Sequence, residues 1–169
     1  MLDRPGLRPT PDRVRETLFN WVQPQLAGAR VLDLFAGSGA LGIEALSRGA
    51  ASALLVERDG AAQDALRRVL SDWVQGAVLF AGDWRAALDA HPEPFDLIFL
   101  DPPFGQGLLS EVLDVICSSA HVHADTQIYV EAESGLTLSK QVPAGWHLRR
   151  EGQAGDVRFG LLARDGGDA

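Results

Sequence analysis

The sequence predicts an α/β fold built on a mostly parallel β-sheet, and three observations support this prediction. Five short apolar segments alternate with four helical segments between residues 29 and 131, an order typical of parallel strands with helices on both faces of the sheet. Two further strands follow without a helix between them, so the closing hairpin places one antiparallel strand in the sheet. The length of 169 residues, with 46% hydrophobic and 22% charged residues, fits one globular domain.

The elements are predicted in order along the chain. In the first helix Thr10 is the predicted N-cap, Pro11 occupies the first helical position, and Pro24 is the predicted end. Apolar segments predict strands at residues 29–35, 53–57, 77–81, 95–100 and 127–131, and helical spacing predicts helices at residues 41–48, 61–70, 84–90 and 108–118. The hairpin pairs residues 146–151 with 157–163 across a turn at residues 152–155.

The charge is unevenly distributed along the chain. The net charge is −8, but residues 1–30 carry five Arg against three acids, and residues 139–164 carry five bases against two acids. The basic composition of a typical nucleic-acid-binding domain is therefore absent, although a local basic patch from the two ends remains open. The single cysteine, Cys117, excludes an internal disulfide framework. No secretory signal or membrane-spanning stretch is predicted.

A glycine-rich loop between the first strand and the next helix predicts a cofactor site. Residues 37–42 match G-x-G-x-x-G, which is typical of nucleotide-type ligands bound at a helix N-terminus. Asp33 lies four positions upstream, where its charge would repel a pyrophosphate but stabilise a cationic ligand. This favours S-adenosylmethionine, with its α-ammonium group, over NAD. The alternatives are a tight strand–helix turn and a carboxylate that accepts hydrogen bonds from the loop amides.

Two further acids end the second and third predicted strands. Glu57, twenty residues after Gly37, can accept hydrogen bonds from both ribose hydroxyls, and its alternative is a solvated acid at a strand end. Asp83 can accept a hydrogen bond from an adenine amino group, cap the following helix, or do both. Trp84 either packs or contacts the same ligand.

The tetrapeptide Asp101-Pro102-Pro103-Phe104 follows the fourth β/α strand and predicts a site for a planar amine. The two prolines stiffen the turn and remove two N–H donors, while a carboxylate, fixed carbonyls and an aromatic face remain. Asp101 and the Pro102 carbonyl can each accept one amine hydrogen, which frees the nitrogen lone pair for methyl transfer, and Phe104 can stack on the ring. The alternative is a rigid exit from the strand.

Metal binding is not predicted. His121 and His123 form an isolated His-x-His between a helix and a strand, and without a third ligand this pattern favours a solvated loop over a metal site. Cys117 lies on the apolar side of a predicted helix and is assigned to the core.

Several segments resemble one known family, the bacterial 16S ribosomal RNA guanine-N2 methyltransferases of the RsmD type. The most specific is the block at residues 8–21, RPTPDRVRETLFNW. The segments LDLFAGSGALG at residues 32–42 and DPPF at 101–104 also match, as do YVE at 129–131 and QAGDV at 153–157. The chain differs from the family in two ways. Only seven residues precede Arg8, where family members usually carry a longer basic segment, and Asp156 follows Gly155.

The resemblance implies a class I methyltransferase fold, a Rossmann-like three-layer sandwich with a seven-stranded sheet and one antiparallel strand. It implies an N-terminal segment and helix at residues 1–28 that pack on a catalytic domain at 29–164, all one domain, with a tail at 165–169. S-adenosylmethionine would be the methyl donor, with a guanine amine held by Asp101, Pro102, Pro103 and Phe104. The cofactor would be held by Asp33, Phe35, Ala36, Gly37, Ser38, Gly39, Glu57, Arg58, Asp83 and Trp84.

The implied substrate is 16S rRNA in the 30S subunit or an assembly intermediate, in the cytoplasm and without membrane or metal. Phosphate contacts are expected from the basic ends, at Arg4, Arg8, Arg13, Arg15, Arg149, Arg150 and Arg158. The alternative for each is a solvated side chain or a pair with Asp12, Glu16 or Glu151. Two other functions remain open: an amino-methyltransferase acting on DNA adenine or protein glutamine, and a non-catalytic assembly factor.

Overall fold

The computed structural model describes residues 10–73 and 75–166. The helices are α1 (Asp12–Leu26), α2 (Ala40–Ser47), α3 (Gly60–Trp73), α4 (Trp84–Ala90) and α5 (Leu108–Cys117). The strands are β1 (Arg30–Asp33), β2 (Ser52–Glu57), β3 (Ala77–Ala81), β4 (Leu97–Leu100), β5 (Gln127–Glu133), β6 (Trp146–Ala154) and β7 (Val157–Arg164). A 3₁₀ turn at Leu138–Lys140 has no counterpart in the predicted elements.

All seven strands form one sheet in the order β3-β2-β1-β4-β5-β7-β6. Neighbouring strands among the first five are parallel, whereas β7 is antiparallel to both β5 and β6. The predicted sheet, mostly parallel with one antiparallel strand from the closing hairpin, is therefore confirmed. The strand order reverses between β1 and β4, and in such sheets ligands bind in the crevice at the carboxyl ends of those strands.

The helices cover both faces of the sheet and give three layers. Apolar side chains of α1, α2 and α3 pack with one set of strand residues, which includes Val31, Phe99 and Tyr129. Side chains of α4 and α5 pack with the alternate set, which includes Leu32 and Ile98. Strand side chains alternate between the two faces of the sheet. A residue two positions after Phe99 or Tyr129 therefore lies on the same face as they do, the face that α1 covers.

Helix α1 corrects two expectations from the sequence. It continues through Pro24 to Leu26, because Leu26 is completely buried in the core and its packing outweighs the one hydrogen bond that a proline removes. The N-cap is Pro11, without a side-chain capping bond. Thr10 is therefore not the cap, and its side chain instead contacts the carboxylate of Glu131.

The closing hairpin is longer than predicted. Strand β6 continues to Ala154 and β7 begins at Val157, so the turn is Gly155-Asp156 and the prediction of a turn at residues 152–155 is wrong. Gly152 pairs with Phe159 in the β6–β7 ladder, and a Cβ at Gly152 would lie 2.5 Å from the Phe159 ring. Glycine is therefore needed here for close packing.

His121 corrects the prediction of a solvated loop. Only 8% of its surface is exposed, and its ring nitrogens lie 2.9 Å from the Leu88 carbonyl and 2.9 Å from the Ser119 hydroxyl. His123 pairs with Asp96. Over residues 10–73 and 75–166, no cluster of three or more acids, histidines or cysteines could hold a metal ion. Over the same ranges, no helix has the length and apolar content needed to cross a membrane.

Candidate active site

A cavity of about 680 Å³ lies at the carboxyl edge of the sheet, a size typical of small-molecule sites. It brings together residues from the ends of β1, β2, β3 and β4. Among the residues expected to hold the cofactor or the amine, those that line it are Asp33, Phe35, Ala36, Gly37, Ser38, Glu57, Arg58, Asp83, Trp84, Asp101, Pro102, Pro103 and Phe104. The cofactor and amine positions expected from the sequence therefore share one continuous cavity.

Gly39 is the expected cofactor residue that does not line the cavity. It precedes α2 with a positive φ of 80°, and a Cβ at this position would lie 2.5 Å from the side chain of Leu66. Gly39 therefore allows the loop to pack closely against α3, and its contact with the cofactor stays a prediction.

The amides of the three motif glycines already have protein acceptors. Gly37 N–H donates to Glu57 Oε2 at 2.9 Å, and Gly42 N–H donates to Asp33 Oδ2 at 3.1 Å. Gly39 N–H donates to the Ala36 carbonyl at 2.8 Å. A pyrophosphate needs free amides of this kind and would meet two carboxylates instead. The loop therefore disfavours the binding of dinucleotides.

Asp33 is 2% exposed, and the charged groups that shift its pKa are acids. Burial raises the pKa of its carboxyl to about 7, the hydrogen bond from the Gly42 amide opposes the shift, and the charges of Glu57 and Glu131 add to it. A buried carboxylate among other carboxylates gains from a cationic partner. One oxygen accepts from the loop amide, as the alternative interpretation predicted, and the carboxylate has a second oxygen for a ligand.

Glu57 and Asp83 both organise the backbone around the cavity. The Glu57 carboxylate bridges Gly37 N–H and Asp59 N–H at 2.9 and 3.0 Å. Asp83 caps α4 by accepting from the amides of residues 85 and 86, which confirms the N-cap alternative. Trp84 carries the Arg85 guanidinium 4.4 Å from its ring centre. These contacts fix the two carboxylates at the rim of the cavity.

The Asp101 carboxyl faces a second acid, Glu131, that the sequence did not single out as a site residue. Strands β4 and β5 pair Leu100 with Val130, so Asp101 and Glu131 are the next neighbours in register. Burial, the charge of Glu131 and a hydrogen bond to it raise the pKa of Asp101 well above its usual range. The signal for Glu131 in the sequence was a charged residue at the end of a predicted apolar strand.

Some of the basic residues expected to contact RNA form ion pairs within the protein, and others are exposed to solvent. Arg15 lines the cavity and pairs with Asp12 at 3.0 Å and with Glu44 at 3.1 Å. Arg158 pairs with Glu151 at 3.2 Å, as the alternative interpretation predicted. Exposed cations are provided by Arg13 in α1 and Arg150 in β6, and the half-buried Arg149 is the extra residue of a β-bulge. Arg4 and Arg8 lie outside the described residues.

The cavity fits S-adenosylmethionine by the chemistry of its donors and acceptors. Asp33 matches an ammonium group, and Glu57 and Asp83 provide acceptors for ribose hydroxyls and an adenine amine. The loop amides are already satisfied, which suits a ligand without phosphate. Asp101 and the carbonyls of the Pro-Pro turn lie in the same cavity, where they can hold the group that receives the methyl.

Comparisons with known proteins agree with this geometry. A family profile described as conserved hypothetical protein 95 matches residues 1–163. Ribosomal RNA small subunit methyltransferase D of Escherichia coli K12 is 45% identical over 166 residues, which cover 96% of this chain and 82% of the relative. The protein of the same name from Haemophilus influenzae is 37% identical, with coverage of 95% and 85%.

A solved structure supports the fold assignment. The Escherichia coli protein yhhF superposes with a TM-score of 0.84 at 44% identity, and the match covers 96% of this chain and 90% of that one. The class I methyltransferase fold expected from the sequence is confirmed. The chain is a methyltransferase, and it belongs to the conserved hypothetical protein 95 family, the RsmD family.

Proposed function

We propose that the protein transfers a methyl group from S-adenosylmethionine to the exocyclic N2 of a guanine in 16S rRNA. The proposed substrate is the 30S subunit or an assembly intermediate, and the proposed compartment is the cytoplasm. The family supports the rRNA substrate, because its relatives carry the name ribosomal RNA small subunit methyltransferase D. The resemblance of residues 8–21 to guanine-N2 enzymes supports the choice of base.

The observation that carries the proposal is the continuity of the cavity from Asp33 to Asp101. One end offers carboxylates for a cationic ligand, and the other offers acceptors without N–H donors at Pro102 and Pro103. When bound, the donor would supply a methyl group activated on a sulfonium. Binding both ligands in one cavity aligns nitrogen, methyl and sulfur, and such alignment contributes ~7–11 kcal/mol to lowering a barrier.

The residues around the amine have separate tasks. A carboxyl oxygen of Asp101 and the Pro102 carbonyl each accept one amine hydrogen, so that the nitrogen lone pair points away from both. Phe104 offers an aromatic face on which the base can stack. Because a paired and stacked guanine cannot reach this cavity, the target base must leave its stack, which costs a few kcal/mol and favours an unpaired site.

Nucleoside mass spectrometry tests the proposal. We expect rRNA from cells that lack this protein to lose one N2-methylguanosine, and purified protein with S-adenosylmethionine to restore it on 30S particles from those cells. Loss of an N6-methyladenine in DNA, or of a methylglutamine in a ribosomal protein, would assign one of the two other amino-methyltransferase activities. Unchanged rRNA nucleosides together with 30S binding would indicate an assembly factor.

Substituting Glu57 tests the cofactor assignment. Glu57→Ala removes the acceptor for the ribose hydroxyls and also the bond to Gly37 N–H. Hydrogen bonds to a charged acceptor are worth ~1.5–3 kcal/mol each, so we expect calorimetry with S-adenosylhomocysteine to show at least ~100-fold weaker binding. Glu57→Gln, which keeps one carbonyl acceptor, should lose less. Equal affinities for Glu57→Ala and the parent protein would refute the assignment.

Substituting Arg13 and Arg15 together tests how an acidic protein binds RNA. A net charge of −8 opposes long-range approach to a polyanion, so binding requires a local patch. We expect the double alanine variant to bind 30S particles more weakly, with a salt dependence flatter by ~1–2 units of slope, and to bind S-adenosylhomocysteine normally.

The matched control for this variant is Arg67→Ala, because Arg67 pairs with Asp64 on α3 and does not line the cavity. We expect the control to keep the slope of the parent protein. The same slope in the double variant and the parent would assign RNA binding to other residues.

A further inference from the structure

The buried carboxylate of Glu131 lies on the strand next to the Asp101 tetrapeptide, and methyl transfer as described above does not use it. Glu131 is 3% exposed and lines the cavity. The register of β4 and β5, which pairs Leu100 with Val130, places Glu131 beside Asp101. Tyr129 and Phe99, two positions before each of them, share the α1 face of the sheet. The side chains of Asp101 and Glu131 therefore belong to one face.

The hydrogen bonds into Glu131 come from two hydroxyls and from an acid. Tyr129 Oη–H donates to Glu131 Oε1 at 2.8 Å, and the carboxyls of Glu131 and Asp101 share a hydrogen bond, as do Glu131 and Thr10. A bond between two carboxyls requires one proton. Because two hydroxyls already donate to Glu131, its ionised form is stabilised and the proton lies on Asp101.

The shifts of the two groups agree with this placement. Burial raises the pKa of Glu131, but the hydrogen bonds from Tyr129, Thr10 and Asp101 oppose that rise. For Asp101, burial, the charge of Glu131 and the hydrogen bond to it all raise the pKa. Both directions favour the shared proton on Asp101, the acid that faces the amine, with Glu131 as its acceptor.

We infer that Glu131 is a positioning residue that acts through Asp101, orienting the Asp101 carboxyl and taking up, by way of it, the proton that the target amine loses. The inference rests on the proposed function. With its O–H turned to Glu131, the Asp101 carboxyl presents its C=O to the amine as a neutral acceptor. Asp101 thus acts as a relay and Glu131 as the final proton acceptor.

The step balances in atoms and charge. The nitrogen lone pair forms the N–C bond, the C–S bond breaks, and its electron pair stays on the sulfur of the donor. One N–H proton then passes to the carbonyl oxygen of Asp101, while the O–H proton of Asp101 passes to Glu131. The positive charge of the sulfonium and the negative charge of the pair both disappear, and the products are a methylamine, a sulfide and a neutral pair.

The surroundings allow the proton to leave afterwards. Glu131 also lines a second cavity of about 70 Å³, bordered by Pro102, Glu133 and Gln141, which is large enough for water. Among the described residues, the other ionisable groups that line the main cavity are Arg15, Asp33, Glu57, Arg58 and Asp83. Tyr129 is buried beside Glu131 and donates to it. Within residues 10–73 and 75–166, Glu131 is the ionisable group that lines both cavities.

The pH profile of methyl transfer tests the inference with two variants. We expect kcat of the parent protein to fall as pH drops through the pKa of Glu131, because a protonated Glu131 cannot accept. Glu131→Gln should lower kcat by ~10²-fold or more, abolish this acid limb, and leave KM for 30S particles unchanged. Tyr129→Phe removes a hydrogen bond that lowers the pKa of Glu131, so its acid limb should move to higher pH.

A readout without substrate or donor separates this role from a structural one. Infrared difference spectra of the parent protein against Asp101→Asn should show one protonated carboxyl at neutral pH, and Glu131→Gln should change its frequency. An unmoved acid limb in both Tyr129→Phe and Glu131→Gln would overturn the inference. Absence of methyl transfer to 30S particles by the parent protein would overturn the proposed function instead. The infrared measurement does not depend on methyl transfer, so it tests the position of the proton in either case.

Discussion

Replacing Asp101 by alanine is expected to abolish methyl transfer to 30S particles while changing the affinity for S-adenosylhomocysteine by no more than a few-fold. Asp101 lies at the amine end of the cavity, beyond Asp33 and the glycine loop at the cofactor end. Alanine removes both the acceptor for one amine hydrogen and the relay to Glu131. Alignment and proton transfer are lost together, so we expect kcat to fall by ~10³-fold or more.

Asp101→Asn is the control that separates alignment from proton transfer. Asparagine keeps a carbonyl that can accept the amine hydrogen, but it cannot pass a proton to Glu131. We expect activity between those of the parent protein and Asp101→Ala, and we expect Glu131→Gln to cost no more activity in the Asp101→Asn background. Groups that act as a unit are non-additive in this way. Near-normal turnover of Asp101→Ala would show that the amine is held elsewhere.

Features that depend on adjacent residues could be predicted from the sequence. The glycine loop, Asp33 and the Asp101 tetrapeptide each follow a short apolar strand, and parallel strands bring their carboxyl ends to one edge. The alternation of strands and helices places them at one edge of the sheet, and the strand order, in which β1 lies next to β4, brings them into a single cavity. The N-cap role of Asp83 is equally local, because its acceptors satisfy amides two and three residues further along the chain.

Features that depend on packing between distant residues could not be predicted in this way. Glu131 gains its role only because β5 pairs with β4, thirty residues earlier in the chain. Pro24 is tolerated inside α1 because Leu26 is buried against the sheet. Gly152 is a strand residue, not a turn residue, because it pairs with Phe159 on β7, whose ring leaves no room for a Cβ. In each case a local rule was overridden by a contact that the local sequence does not contain.

Asp33→Asn is expected to weaken the binding of S-adenosylhomocysteine by ~100-fold and to stabilise the protein when no ligand is bound. Asparagine still accepts from Gly42 N–H, but it offers no charge to the ligand ammonium. A hydrogen bond to a charged group contributes ~1.5–3 kcal/mol. In the parent protein, affinity should also fall as pH drops below about 7, because burial raises the pKa of Asp33 to that value and the protonated acid cannot pair with a cation.

The effect on stability has the opposite sign to the effect on binding. The pKa of Asp33 is about 7 in the folded protein against 3.8 for the free group, so between these values the folded state binds the proton more tightly. The free energy of unfolding therefore falls as pH rises through this window, by up to about 4 kcal/mol. The asparagine side chain of the variant does not titrate. In urea unfolding, the free energy of unfolding of Asp33→Asn minus that of the parent protein should therefore be larger at pH 8 than at pH 4.

Asp64→Asn, at an exposed acid of α3, is the control and should leave both the affinity and the pH dependence of stability unchanged. If Asp33→Asn and the parent protein lose stability in parallel between pH 4 and pH 8, Asp33 is not the buried acid that holds the cation.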